Sequence, residues 1–208
     1  MINATIVAAL LALPYVPALA TSTSESRPVG DFQSIEFRGA GHLSVSAGGA
    51  SAVTVSADPG QLAAVRTVVR DGVLVIEQKG YPWHAGSDSV RVTVSLPALR
   101  RLTLTGATDA DVTGLAGGRT TFITTGATRL KAQGAVDQLV TQFEGASRVD
   151  LTRIVAGSVS LGVTGAAQVA MPARTPLAAS RDSVGSLTSA ERMDHRMQST
   201  VGGSRILR

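Results

Sequence analysis

Leu104-Thr105-Gly106-Ala107-Thr108, Thr124-Thr125-Gly126-Ala127-Thr128, Phe143-Glu144-Gly145-Ala146-Ser147 and Val163-Thr164-Gly165-Ala166-Ala167 are four copies of one phrase, with glycines 20, 19 and 20 residues apart. Self-similarity at a nearly fixed period of this length marks a repeat architecture, in which each copy buries its apolar face only against its neighbours. Four and six residues after each glycine stand Ala110 and Val112, Leu130 and Ala132, Val149 and Leu151, Val169 and Met171, and between them Asp111, Lys131, Asp150 and Ala170. Alternation with period two is a strand with one face inward and the other in solvent. Leu102-Thr103-Leu104, Phe122-Ile123-Thr124 and Val159-Ser160-Leu161 supply a second run of strand formers before the glycine.

A helix is excluded, because glycine and β-branched residues recur where its interior needs Ala, Leu, Glu or Lys. Each repeat is therefore strand, bend, strand, with glycine at the bend and a small residue after it for close stacking. The pattern predicts an all-β solenoid of ~20-residue coils, in which equivalent residues of successive coils lie about 4.8 Å apart. The competing architecture is an ordinary β-sandwich, whose strands also arrive every 8–12 residues.

Working outward, Gly39-Ala40-Gly41-His42-Leu43-Ser44-Val45 writes the phrase once more, with Leu43 and Val45 at the two inward positions. Ala52 to Val55, Val65 to Val69, Val73 to Ile76 and Val90 to Leu96 then have a different texture, and Asp71-Gly72 separates two of these runs. Asp-Gly between apolar runs is a strong hairpin signal, since both residues accept the positive φ of a type I′ turn. The N-terminal third is therefore expected to add an antiparallel hairpin region that extends or caps the coils. Lys79 to Ser89, with Tyr81, Pro82, Trp83 and His84, reads as a loop. Beyond Pro172 the pattern weakens: Val184-Gly185-Ser186-Leu187 falls 20 residues after Gly165, and residues 200–206 resemble a last, irregular capping coil.

At the N-terminus an apolar core, Ile6 to Leu13, precedes Pro14, Pro17 and the small-x-small site Ala18-Leu19-Ala20. Residues 1–20 are thus expected to be a secretory signal peptide, too short for a spanning helix, although no Lys or Arg precedes the apolar core. Residues 21–28 are polar and expected to be disordered, and 29–208 form a single domain large enough for a continuous core. With no cysteine, the exported chain is expected to rely on that core without disulfides or a lipidated Cys, and no later apolar run reaches membrane length.

The order Phe32-x-x-Ile35, then Asp71-Gly72-x-Leu74-x-Ile76, then Val90-x-Val92-x-Val94-x-x-Pro97-x-Leu99, then Gly-Ala/Ser phrases to the C-terminus resembles the head GIN domain, the DUF2807 family of auto-transporter adhesins. The similarity spans nearly all of residues 29–206 and lies in order and spacing. It implies an exported bacterial protein, periplasmic or extracellular, with a right-handed β-helix-like fold.

Chemistry is sparse. His42, His84 and His195 have no ligand spacing, so no metal or cofactor is expected, and no serine sits in a Gly-x-Ser-x-Gly elbow. Asp109 and Asp111 share a strand face and are the one close acidic pair within a repeat, as a polysaccharide-active β-helix enzyme would require. Coil stacking sets Arg129 beside Asp109, and Lys131 beside Asp111 and Asp150, which keeps these carboxylates ionised and favours a charge ladder over a catalytic pair. An aromatic content of 3% also argues against a sugar-cleaving groove. The expected function is a non-catalytic binding or scaffolding module of the cell envelope. Its ligand-binding candidates are Tyr81, Trp83 and His84 on the aromatic loop, with Arg100 and Arg101 as basic partners; the same rings would also serve to close an apolar end of the solenoid. Lys+Arg 19 against Asp+Glu 15 suits a glycan or anionic polymer, whereas export and the lack of a motif exclude nucleic acid.

Overall fold

In the computed structural model, residues 22–78 and 90–171 are described in full, and four further strands within 177–207 are described by their backbone. Among the described residues fifteen strands join in one sheet, beside a single helical turn, α1 (Pro59–Leu62), begun by a proline at its first positions.

The repeats pair in parallel and in phase. β7 (Arg101–Ala116) carries Gly106 at its middle, where the chain turns from one strand segment to the next. Its first half pairs with β8 (Arg119–Gly126), and its second half with the start of β9 (Arg129–Gly145). The rest of β9 lies on β8, and all of β9 is covered by β10 (Arg148–Thr164). Gly106 faces Gly126, and Gly126 faces Gly145. On the N-terminal side β2 (Ser34–Ala47) runs along β7 with Gly39 opposite Gly106, Leu43 opposite Ala110 and Val45 opposite Val112. The repeat period read from the glycines is therefore the hydrogen-bonding register, and parallel pairing replaces the antiparallel hairpins of a sandwich.

The alternation explains the core. Ala110, Val112, Leu130, Ala132, Val149, Leu151, Val169 and Met171 are all buried, and they meet Leu102, Leu104, Phe122, Phe143 and Leu161 from the segments before the glycines in one cluster. Phe32, Phe37, Phe122 and Phe143 are each at most 2% exposed, as their inward positions predict. Each such ring stabilises the fold by about 1.5–3 kcal/mol relative to exposure.

The N-terminal third extends this stack. β5 (Val73–Gln78) and β6 (Arg91–Leu96) pair in parallel with the first and second halves of β2, so together they take the place of one more repeat. Beyond them the pairing is antiparallel: β4 (Val65–Arg70) on β5 through a turn with Asp71 at φ 50° and Gly72 at φ 72°, and β3 (Ala52–Ala57) on β6. That is the expected hairpin. One expectation fails here: within 21–28, taken as disordered, Thr23–Arg27 forms β1, antiparallel to β3. Backbone pairing holds this polar edge strand, with Ser24 Oγ 2.6 Å from Ser56 Oγ and Arg27 Nη2 donating to the Leu62 carbonyl.

At the other end β11 (Gln168–Met171) lies on β10, and β12 (Leu177–Arg181) continues the stack on the second half of β10. β13 (Ser186–Ser189) follows β11, β14 (His195–Thr200) follows β12, and β15 (Arg205–Leu207) follows β13. The 20-residue spacing read to Gly185, which lies outside the described residues, is not the register of the strands beside it: Val169 faces Leu187, an offset of 18.

Candidate functional site

The corner after each glycine shapes one face of the stack. In Gly-Ala-Thr/Ser the first small residue faces outward and the second inward: Ala107, Ala127, Ala146 and Ala166 are exposed, whereas Thr108, Thr128, Ser147 and Ala167 are buried. The inward hydroxyls find partners, as buried polar groups must. Ser147 Oγ lies 2.9 Å from Thr128 Oγ1 and 3.2 Å from Thr124 Oγ1, and Thr108 Oγ1 donates to the Gly39 carbonyl.

Stacked, the exposed alanines leave a trough of about 690 Å³ that crosses five repeats, floored by methyl groups and walled by His42, Asp109, Arg129, Arg148 and Gln168. Its wall residues occupy one register column, His42 opposite Asp109, Asp109 opposite Arg129, Arg129 opposite Arg148 and Arg148 opposite Gln168. Four steps of strand spacing make the column about 19 Å long. Arg129 Nη1 reaches Asp109 Oδ2 at 3.6 Å, and Arg148 donates through Nε and Nη2 to Gln168 Oε1 at 3.3 and 3.2 Å. The corner backbone is spoken for: Ala127 N donates to Gly106 O, Arg148 N to Thr128 O and Gln168 N to Ser147 O.

Two positions further along the strands runs the second charged column, Asp111 opposite Lys131 and Lys131 opposite Asp150, all exposed. Order and face are as the sequence predicts, but the ion pairing is not. Among the described residues Lys131 makes no ion pair, and the Asp150 carboxylate turns instead to its own strand, accepting from Thr152 Oγ1 at 2.6 Å and Thr152 N at 3.1 Å. The register slips between Asp150 and Arg153, and that irregularity brings Thr152 back onto the carboxylate. The Thr152 hydroxyl and then its amide, with smaller help from Arg153 and Lys131, hold the Asp150 carboxyl below its ordinary pKa against the opposing effect of desolvation.

Tyr81, Trp83 and His84 lie outside the described residues. The ends of their segment are anchored at the corner column: Gln78 Oε1 accepts from Ala40 N at 3.1 Å, and the Val90 carbonyl accepts from His42 N at 2.9 Å. Arg100 and Arg101 are exposed, and Arg101 faces Ser34 and Thr121. That is five strand positions before the Gly106 corner, about 17 Å along the strand. Sequence reasoning missed Arg129, Arg148 and Gln168 as a group. The signal was present, since each follows a Gly-Ala-Thr/Ser/Ala phrase directly.

The family profile described as "Putative auto-transporter adhesin, head GIN domain" (DUF2807) matches residues 31–191. No curated protein matches the chain. Among solved structures, a crystal structure titled as a "putative adhesin" from Bacteroides fragilis NCTC 9343 is similar with a TM-score of 0.67 at 14% identity, covering 90% of this chain and 97% of that one. Another, titled "Putative lipid binding protein", from Parabacteroides distasonis ATCC 8503, has a TM-score of 0.55 at 12% identity over 89% of this chain and 95% of that one. At these identities the likeness is one of fold.

Proposed function

The chain belongs to the family described as "Putative auto-transporter adhesin, head GIN domain", and from that premise we propose that it is an exported, non-catalytic binding module of the bacterial cell envelope, wound as a right-handed β-solenoid. The observation that carries this is the in-register stack: each repeat sets its corner against the next, so one side-chain position is offered again and again along a rigid line, as suits an extended ligand. Asp109 is engaged by Arg129, and Asp150 is held ionised by Thr152, which favours anchored charges over a proton donor for sugar cleavage. Residues 1–20 direct export and are removed before Thr21. Tyr81 and Trp83 supply amphipathic contact surface, with His84, Arg100 and Arg101 as further polar contacts.

Retention on isolated cell-envelope material tests the proposal. The chain should be retained, and Tyr81→Ala with Trp83→Ala should weaken retention while circular dichroism and melting temperature stay unchanged. A chain that passes through the envelope fraction unretained contradicts the binding role, and a double variant that melts much lower assigns the two rings to a solenoid cap.

A further inference from the structure

The two charged columns of the repeat face are built on opposite rules. In the outer one, signs alternate along Asp111, Lys131 and Asp150, so no like charges face one another on neighbouring strands. In the trough column Arg129 and Arg148 face one another directly on neighbouring parallel strands, about 4.8 Å apart in the strand-pairing direction. Like charges opposite each other on a sheet face are destabilising, so the pair carries an electrostatic cost that the neighbouring column avoids. Neither guanidinium is fully satisfied by a carboxylate. Asp109 touches Arg129 through one nitrogen at 3.6 Å, and the Arg129 side chain is 60% exposed, while Arg148 has an amide oxygen as its partner.

Resting on the binding role proposed above, we propose that this trough binds an extended acidic polysaccharide, with Arg129 and Arg148 together gripping one carboxylate of a uronate unit and Gln168 contacting a neighbouring hydroxyl. Guanidinium is the side chain suited to planar oxyanions, and two at one strand spacing bracket a carboxylate. The alanine methyls of the floor accept the apolar face of a pyranose ring and leave room for it. A sugar residue in an extended chain advances by about one strand spacing, so successive units meet successive repeats. A peptide fits less well, since a strand-like peptide binds through free backbone groups and the corner amides of residues 127, 148 and 168 already donate within the stack. Asp109 opposes the ligand: it competes for Arg129 and repels the carboxylate.

Binding of the full-length chain to polygalacturonate, neutral dextran and polyglutamate tests this, read by affinity electrophoresis and titration at low and high salt. Polygalacturonate alone should bind, with a Kd that rises with ionic strength as for exposed charges. Removing one charge-assisted contact through Arg148→Gln should raise Kd roughly tenfold or more, and Arg129→Gln with Arg148→Gln should abolish binding. Asp109→Asn should tighten it, an outcome that a merely structural role for the column does not produce, and Lys131→Gln should leave it unchanged. The proposal is overturned if polygalacturonate does not bind, if polyglutamate binds equally, or if a folded Arg129→Gln/Arg148→Gln chain binds as before. A chain retained on envelope material that ignores polygalacturonate removes this inference alone, whereas one that binds polygalacturonate but is not retained removes the envelope role alone.

Discussion

A β-carbon placed on Gly145 would lie 2.7 Å from the Gly126 carbonyl oxygen, in a residue whose φ is +97°. Two costs therefore fall on any side chain there, the left-handed backbone and a collision with the repeat beneath. Gly145→Ala should destabilise the fold by about 2 kcal/mol or more. Gly60, with nothing within 4 Å of its β-carbon position, is the control, and Gly60→Ala should be neutral or mildly stabilising. Denaturant midpoints compare the two, and equal midpoints would mean that the corners do not stack as described.

Ser147 links two other buried hydroxyls, Thr124 and Thr128. Ser147→Ala removes only a hydroxyl oxygen but leaves the Thr124 and Thr128 hydroxyls short of a partner, so a loss of about 1–3 kcal/mol is expected. The triple variant with Thr124→Val and Thr128→Val should recover part of it, because no buried hydroxyl is then left unpaired. Thermal unfolding of the single and triple variants checks the sign of that coupling.

Asp150 gives the stack a pH dependence of known direction. Its carboxyl titrates lower in the folded chain than the ordinary value of 3.8, so its contribution is complete above that value and is lost as pH falls through the folded pKa. The stability difference between the wild type and Asp150→Asn should accordingly be flat near neutral pH and shrink below about pH 4. Thr152→Val should reduce the difference, since Thr152 supplies the two main hydrogen bonds.

Lys131 stands between two carboxylates in register without an ion pair to either. Lys131→Ala should therefore be mild. Lys131→Asp sets three like charges in line and should cost more, by about 0.2–1 kcal/mol for each exposed neighbour. The gap between the variants should narrow at high salt, and equal melting temperatures at low salt would contradict the register.

The fold was legible where a physical period imposed it. Glycines 20, 19 and 20 residues apart, and apolar residues four and six positions beyond them, gave the register and the inward face, because stacking demands the same residue type at the same place in every repeat. Asp71-Gly72 was legible for a local reason, its positive φ. Thr23–Arg27 was not, since an edge strand held by backbone bonds needs no apolar alternation. The turn of Asp150 toward Thr152 depends on a register slip that leaves no mark in composition. The trough was hidden for a third reason. Which of two small corner residues faces inward decides whether a groove forms, and Ala107 and Thr108 are both small enough for either side.

Corners, columns and trough all follow from one repeat lying in phase on the next, and a crosslink tests that most directly. The chain has no cysteine, Thr105 faces Thr125 across β7 and β8, and both are exposed. Facing positions fall within the 4.4–6.8 Å Cα separation that a disulfide spans, whereas Thr121, opposite Arg101, lies about 13 Å along the strand from the position facing Thr105. Mild oxidation of the folded chain should crosslink Thr105→Cys/Thr125→Cys almost completely and Thr105→Cys/Thr121→Cys hardly at all. Crosslinking of the second pair in preference to the first, or of neither, would contradict the in-register stack.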